Sequence, residues 1–155
     1  IGGTGNITVT SGASIIPLTF SGNNTWTGNL IFNSTASVFT QTGGVMTFDI
    51  GAAGVNNKVQ ASGGSYTFNG AFSFDLTGAS TTIGDFWNIV TVGSTPTYGG
   101  GFSVNGFTQD GTTWSDGTYS FDTTTSVLTV IPEPSSFAIL LGGLGMLGLF
   151  RKRRP

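Results

Sequence analysis

Hydrophobic and polar residues alternate over short stretches along most of the chain, with small and turn-forming residues between the stretches. Apolar side chains occupy every second position in residues 66–68, 72–76, 119–121 and 128–130. Such alternation places successive side chains on opposite faces of a β-strand. Strand-like runs recur about every ten residues, a spacing typical of sandwiches, barrels and β-solenoids. The pattern predicts an all-β fold up to the last two dozen residues.

A loose internal repeat occupies the first half of the chain. Residues 8–14, 30–37 and 59–65 each consist of a strand-like run, a corner of small residues and the start of a second run. The unit recurs roughly every 20 to 30 residues. This spacing fits the coils of a solenoid, where each coil buries its apolar face on the next. We predict a short parallel β-solenoid over residues 1–83, with a β-sandwich as the alternative.

The stretch from residue 18 to residue 30 resembles the autotransporter-associated β-strand repeat. The usual core of that repeat is apolar-x-Gly-x-Asn-x-aromatic-x-Gly, and Gly22, Asn24, Trp26 and Gly28 match it. Repeats of this kind build right-handed parallel β-helices. The resemblance therefore implies a right-handed solenoid.

The pattern changes after residue 83. Gly84-Asp85-Phe86 precedes an apolar strand, similar to the closing part of passenger-like regions, and Asp116-Gly117 is a typical two-residue hairpin turn. An uncapped solenoid end would expose unpaired backbone groups and favour aggregation. We predict that residues 84–131 form antiparallel strands that cap the solenoid.

The last part of the chain, residues 132–155, has a composition of its own. Its two prolines fix φ and lack N–H donors, so the Pro132-Glu133-Pro134 triplet should be extended. The uncharged run over residues 135–150 predicts one C-terminal transmembrane helix of about 24 Å, short against a hydrocarbon core of roughly 30 Å. Its apolar residues are Phe137, Ala138, Ile139, Leu140, Leu141, Leu144, Met146, Leu147, Leu149 and Phe150. A cytoplasmic basic anchor follows, formed by Arg151, Lys152, Arg153 and Arg154.

This three-part tail resembles the PEP-CTERM sorting signal of Gram-negative bacteria, with Pro132, Glu133 and Pro134 as its motif. The resemblance implies recognition by an exosortase, a membrane-embedded transpeptidase-like enzyme, and removal of the helix. It also implies a transient stay in the inner membrane and a final place at the envelope surface or in the extracellular matrix. An ordinary membrane anchor or a buried helix is the alternative. Because the chain begins with Ile1 and shows no signal peptide, we expect it to be the C-terminal part of a longer precursor.

The composition narrows the possible chemistry. The chain has no His and no Cys, the residues on which Ser-His-Asp and Cys-His catalysis and most zinc sites depend. Upstream of the tail it holds six Asp and the single Lys58, an acidic balance unsuited to nucleic acid. Calcium near Asp110 and Asp116 is the better ion to consider, but their spacing matches no calcium loop. Turn formation and solubility account for the Asp residues, so we expect no enzyme activity, cofactor or metal.

These observations favour a non-enzymatic stalk or matrix component that an exosortase sorts to the cell surface. Two alternatives come from other classes. One is a module that binds exopolysaccharide by stacking tryptophan rings on sugars, and the other is part of a polysaccharide-active enzyme. The candidate stacking residues are Trp26, Trp87 and Trp114.

Overall fold

The computed structural model describes residues 2–10 and 17–132, which contain short β-strands and no helix. The strands are β1 (Gly2–Gly3), β2 (Ile7–Val9), β3 (Pro17–Phe20), β4 (Thr25–Trp26), β5 (Leu30–Phe32), β6 (Val38–Gln41), β7 (Val45–Asp49), β8 (Val59–Ala61), β9 (Ser65–Phe68), β10 (Ala71–Asp75), β11 (Phe86–Asn88), β12 (Val90–Thr91), β13 (Thr97–Tyr98), β14 (Ser103–Val104), β15 (Thr108–Asp110), β16 (Thr113–Ser115), β17 (Tyr119–Asp122) and β18 (Val127–Val130). The all-β prediction is confirmed for these residues.

Three parallel sheets form the sides of a β-solenoid of about three turns. The first side contains β2, β5, β8 and β12, the second β3, β6, β9 and β13, and the third β7, β10 and β14. The parallel β1–β4 pair extends the third side, since Asn24 next to β4 bridges Met46 in β7. Parallel pairing confirms the predicted solenoid over the sandwich alternative, while the right-handed winding stays a prediction.

In-register pairing stacks the side chains of successive coils in columns. On the second side, Phe20, Gln41, Phe68 and Tyr98 follow one another in a column that points into the core. Neighbouring strands lie about 4.8 Å apart, so rings in adjacent coils come into contact. Phe39 packs edge-on against Phe20 at 5.2 Å between ring centroids. Aromatic rings of successive coils therefore contact one another in the interior, and Gln41 is the polar member of this column.

The parallel part extends beyond residue 83. Val90 pairs with Val59, Thr97 with Thr67, and Ser103 with Ala71, which makes residues 90–104 a further coil of the solenoid. Its strands have two residues each and are separated by Gly, Ser and Pro residues. Alternation such as that of Phe102 and Val104 indicates a strand but does not identify its partner, so the pattern after residue 83 predicts only antiparallel strands there.

The antiparallel part is a five-stranded sheet with the order β11-β18-β17-β16-β15, which we call the cap. One row of directly opposed residues crosses its inner face, from Trp87 through Leu128, Phe121 and Trp114 to Gln109. Phe121 is fully buried, and its ring lies 5.9 Å from that of Phe72 in β10. The cap thus covers the aromatic interior at the last coil of the solenoid.

The positions that resemble the autotransporter-associated repeat have local structural roles. Trp26 is buried in the core, and the Asn24 side-chain amide donates a hydrogen bond to the Gly22 carbonyl oxygen over 2.7 Å. Gly28 lies so close to the Gly5 carbonyl that a Cβ would overlap it. These contacts explain the residue types at a tight corner, and membership of that repeat family stays a prediction.

Within residues 2–10 and 17–132 there is no helix that is long and apolar enough to cross a membrane. The predicted transmembrane helix over residues 135–150 and the basic anchor over residues 151–154 lie outside the described residues.

Candidate functional site

The three tryptophans proposed for glycan stacking lie in two different environments. Trp26 and Trp87 are buried, with 2% and 0% of their surface exposed, so neither ring offers a face to a sugar. Trp114 is partly exposed at the edge of the cap. The stacking hypothesis therefore rests on Trp114 alone.

Trp114 lies in a cleft between the cap and the last coil of the solenoid, which we call the Trp114 cleft. Its volume is about 370 Å³. The residues that define it are Tyr98, Gly99, Gly100, Gln109, Thr112 and Trp114. The inner face of the cap is partly open to solvent there, since Trp114 in β16 is partly exposed and Gln109 in β15 is exposed.

Burial decreases step by step along the inner row of the cap. Trp87, Leu128 and Phe121 are fully buried, Trp114 is partly exposed, and Gln109 is exposed. Trp114 packs edge-on against Phe102, with 5.9 Å between the rings and 89° between their planes. This contact with the core fixes the indole, which also lines the cleft. The Gln109 side-chain amide, directly across from it, donates to the Gly111 carbonyl oxygen over 3.1 Å.

Gly99 and Gly100, two residues of a loop of three glycines, also line the cleft. A Cβ on Gly99 would overlap the Asn69 side chain, and one on Gly101 would lie 2.8 Å from the Asn69 carbonyl oxygen. Gly100 has open space around it and a negative φ. Packing against Asn69 accounts for two of the glycines, and the third leaves backbone exposed to a ligand in the cleft. The sequence alone predicts this stretch only as a flexible turn.

Two hydroxyl groups join the cap to the floor of the cleft. The Tyr98 hydroxyl lies 2.7 Å from the Ser126 hydroxyl, which is buried. Burial raises the pKa of Tyr98 well above its usual range. The hydrogen bond with Ser126 lowers this pKa, and the negative charge of Asp122 raises it further. Tyr98 is therefore a neutral hydrogen-bonding group at any physiological pH.

A second concave region lies on the solenoid where the third side turns into the first. It contains two carboxylates, Asp49 and Asp75, which pair in register on neighbouring parallel strands. Burial raises the pKa of Asp49, and the charge of Asp75 raises it further. Two hydrogen bonds from Thr77 lower the pKa of Asp75. The sequence does not predict this pair, since only the stacking of coils brings the two residues together.

Three aspartates, including Asp75 of this pair, accept hydrogen bonds within turns. The carboxylates of Asp75, Asp116 and Asp122 each accept a hydrogen bond from the backbone N–H two residues further on. Among residues 2–10 and 17–132 there is no group of three or more His, Cys, Asp or Glu side chains placed to hold a metal ion.

The last described strand, β18, lies directly before the tail. β18 is bonded on both sides, to β11 and β17, and the Ile131 N–H donates to the Thr118 carbonyl oxygen over 2.8 Å. Pro132 is exposed. Glu133, Pro134 and the rest of the predicted sorting signal lie outside the described residues.

Residues 130–154 match the family model described as the PEP-CTERM protein-sorting motif. The tail carries a PEP-CTERM motif. It implies export, sorting to the envelope or surface, and processing by an exosortase. The match begins at Val130, the last residue of β18, so the motif and the cap directly adjoin.

The body of the chain has no such match. No curated protein matches the sequence, and no solved structure matches the fold.

Proposed function

We propose that this chain is a non-enzymatic structural component of the bacterial cell surface or extracellular matrix, displayed after an exosortase removes its C-terminal helix. The observation that carries the proposal is the direct junction between the folded cap and the PEP-CTERM motif. The motif supports delivery of the chain to the envelope or surface, and the solenoid supplies a body whose coils bury their apolar faces on one another.

The position of β18 supports this order of events. It is an interior strand of the cap sheet, paired with β11 and β17, and its last residue lies two positions before Pro132. Cleavage near Pro134 would leave every strand of the cap in place. The product of processing would then keep the whole cap sheet.

The chemistry of the body supports a structural role. The sequence contains no His and no Cys, and three of its aspartates hold turns through backbone hydrogen bonds. Asp75, one of the two carboxylates that lie side by side at the second concave region, is itself one of these turn aspartates.

Mass spectrometry of the mature C-terminus tests the proposal, with protein taken from native envelope and from culture supernatant. We expect a chain that ends near Pro134 and lacks residues 137–150. A Pro134→Ala variant should accumulate with its tail attached, while a Pro96→Ala variant, changed in a loop of the body, should be processed normally. Mature protein that retains Arg151 to Arg154 would show a plain membrane anchor and overturn the proposal.

A further inference from the structure

The Trp114 cleft combines an aromatic ring with polar groups at close range. Trp114 and Gln109 are cross-strand partners on the same face of the cap, so the ring and the carboxamide lie side by side. Gly100, which also lines the cleft, presents backbone without a side chain. Small-molecule sites in proteins typically have this form, a concave aromatic surface with a few convergent hydrogen-bonding groups.

Sugars are the ligand class that fits both features. A pyranose ring has C–H faces, which pack on an aromatic ring, and a rim of hydroxyl groups, which bond to amides and backbone groups. The Thr112 hydroxyl adds a further polar group at the rim of the cleft.

The charges around the cleft decide which glycans fit. The residues that line the cleft are all uncharged, and the negative charge of Asp122 acts on Tyr98, one of these residues. The single Lys58 of the body belongs to the turn before β8, on another part of the solenoid. A negative charge near the cleft repels an anionic polymer, so binding of uronate-rich or sulfated chains is disfavoured.

From these observations we propose that the Trp114 cleft binds neutral glycan chains, with Trp114 stacking on a sugar ring and Gln109 bonding to its hydroxyls. The site is independent of the sorting tail and would let the displayed domain attach to a neutral polysaccharide. It gives the surface protein a binding activity in addition to its structural role.

Tryptophan fluorescence of the full chain in detergent micelles tests this proposal directly. Because Trp26 and Trp87 are buried, iodide quenching reports mainly on Trp114. We expect neutral hexasaccharides of glucose, xylose or mannose to protect Trp114 from iodide in a saturable way. Alginate, a uronate polymer, should give little protection at equal sugar concentration.

Two variants locate the site without disturbing the core. Gln109 is exposed, so Gln109→Ala should fold normally and weaken binding roughly fivefold to tenfold, the effect of about one lost hydrogen bond. Gly100→Met adds a side chain at a position with open space and negative φ, and should narrow the cleft and abolish binding. Phe86→Ala removes an exposed aromatic ring on the other face of the cap and serves as the control.

Several outcomes would overturn the proposal. They are an absence of protection by every neutral hexasaccharide, undiminished binding by both Gln109→Ala and Gly100→Met, and equal protection by alginate. Sedimentation of the same samples tests whether a second copy of the chain occupies the cleft. If the wild-type chain is a dimer that Gly100→Met converts to a monomer, a second copy fills the cleft instead of a glycan. Processing of the tail is expected to be unchanged in all three variants. Failure of the glycan proposal would therefore not contradict the proposed display at the cell surface.

Discussion

The solenoid and the cap bury their aromatic side chains in different ways. In the solenoid each buried side chain lies over its counterpart in the next coil, as in the column of Phe20, Gln41 and Phe68. In the cap, Trp114 contacts Phe102, and a second ring, Phe121, contacts rings from several strands of the solenoid. Its partners are Phe72, Phe74, Tyr98 and Phe102, at centroid distances of 5.6 to 6.2 Å.

The two regions also differ in their buried polar atoms. Inside the solenoid, Trp26 Nε1 and Gln41 Oε1 have no hydrogen-bond partner among the described residues. Where the cap meets the solenoid, Trp87 Nε1 donates to the Ala52 carbonyl over 2.9 Å, and the Tyr119 hydroxyl donates to the Ser80 carbonyl over 3.1 Å. The backbone ladders hold the coils in register whatever the interior contains, whereas the cap depends on specific side-chain contacts.

Removing the Phe121 ring should have the largest effect, because the cap has no ladder to the last coil at this point. Phe121→Ala creates a cavity among four rings and should lower the free energy of unfolding by about 3–5 kcal/mol. Urea unfolding followed by circular dichroism measures this loss. Phe86, which is 53% exposed, provides the control, since Phe86→Ala should change stability by less than about 0.5 kcal/mol. Equal losses in the two variants would contradict the assignment of Phe121 as the main contact of the cap.

The solenoid should instead be sensitive to added atoms at its corners. Gly44 has a φ of 68°, and a Cβ there would overlap the carbonyl of Gly22 in the preceding coil. Gly44→Ala should destabilise the protein by about 2–3 kcal/mol, from backbone strain and the overlap together. Gly54, with a φ of 74° and open space around it, separates these causes, because Gly54→Ala meets the strain alone. If both variants lose the same stability in urea, the close approach of the coils has no energetic consequence.

Replacing Gln41, whose side-chain oxygen has no hydrogen-bond partner among the described residues, should raise the free energy of unfolding. The Gln41 amide nitrogen makes only long bonds, 3.4 Å to the Gly44 carbonyl and 3.3 Å to the Ala71 carbonyl. Methionine has a similar length and no polar group to desolvate, so Gln41→Met should stabilise the protein by about 1 kcal/mol. Thermal unfolding should show the gain as a higher midpoint. A loss of stability would mean that the two long bonds outweigh the buried oxygen.

The sequence predicts the solenoid better than it predicts the cleft, for physical reasons. Alternation along single strands and repeated corners indicate stacked coils, and the predicted cap is present as an antiparallel sheet. Within β11, however, Phe86 and Trp87 are both aromatic and point to opposite faces, so alternation cannot tell which ring is buried. The coil over residues 90–104 depends on partners about thirty residues earlier, for which its two-residue strands give no local signal.

The smallest effect should come from the Asp49 and Asp75 pair, which the stacking of β7 and β10 brings together. Because the pKa of Asp49 is raised above its ordinary value of 3.8, its ionised form disfavours the folded state, and this penalty is fully present above the raised pKa. Asp49→Asn should therefore increase stability slightly at neutral pH, and the gain should disappear as the pH falls toward 3.8. The Asp49 backbone N–H keeps its bond to the Asn57 side chain in this variant. An NMR titration of the Asp49 carboxyl in Asp75→Asn should give a lower pKa than in the wild type, since one cause of the rise has been removed. A gain that does not change with pH would show that the repulsion between stacked coils is not its source.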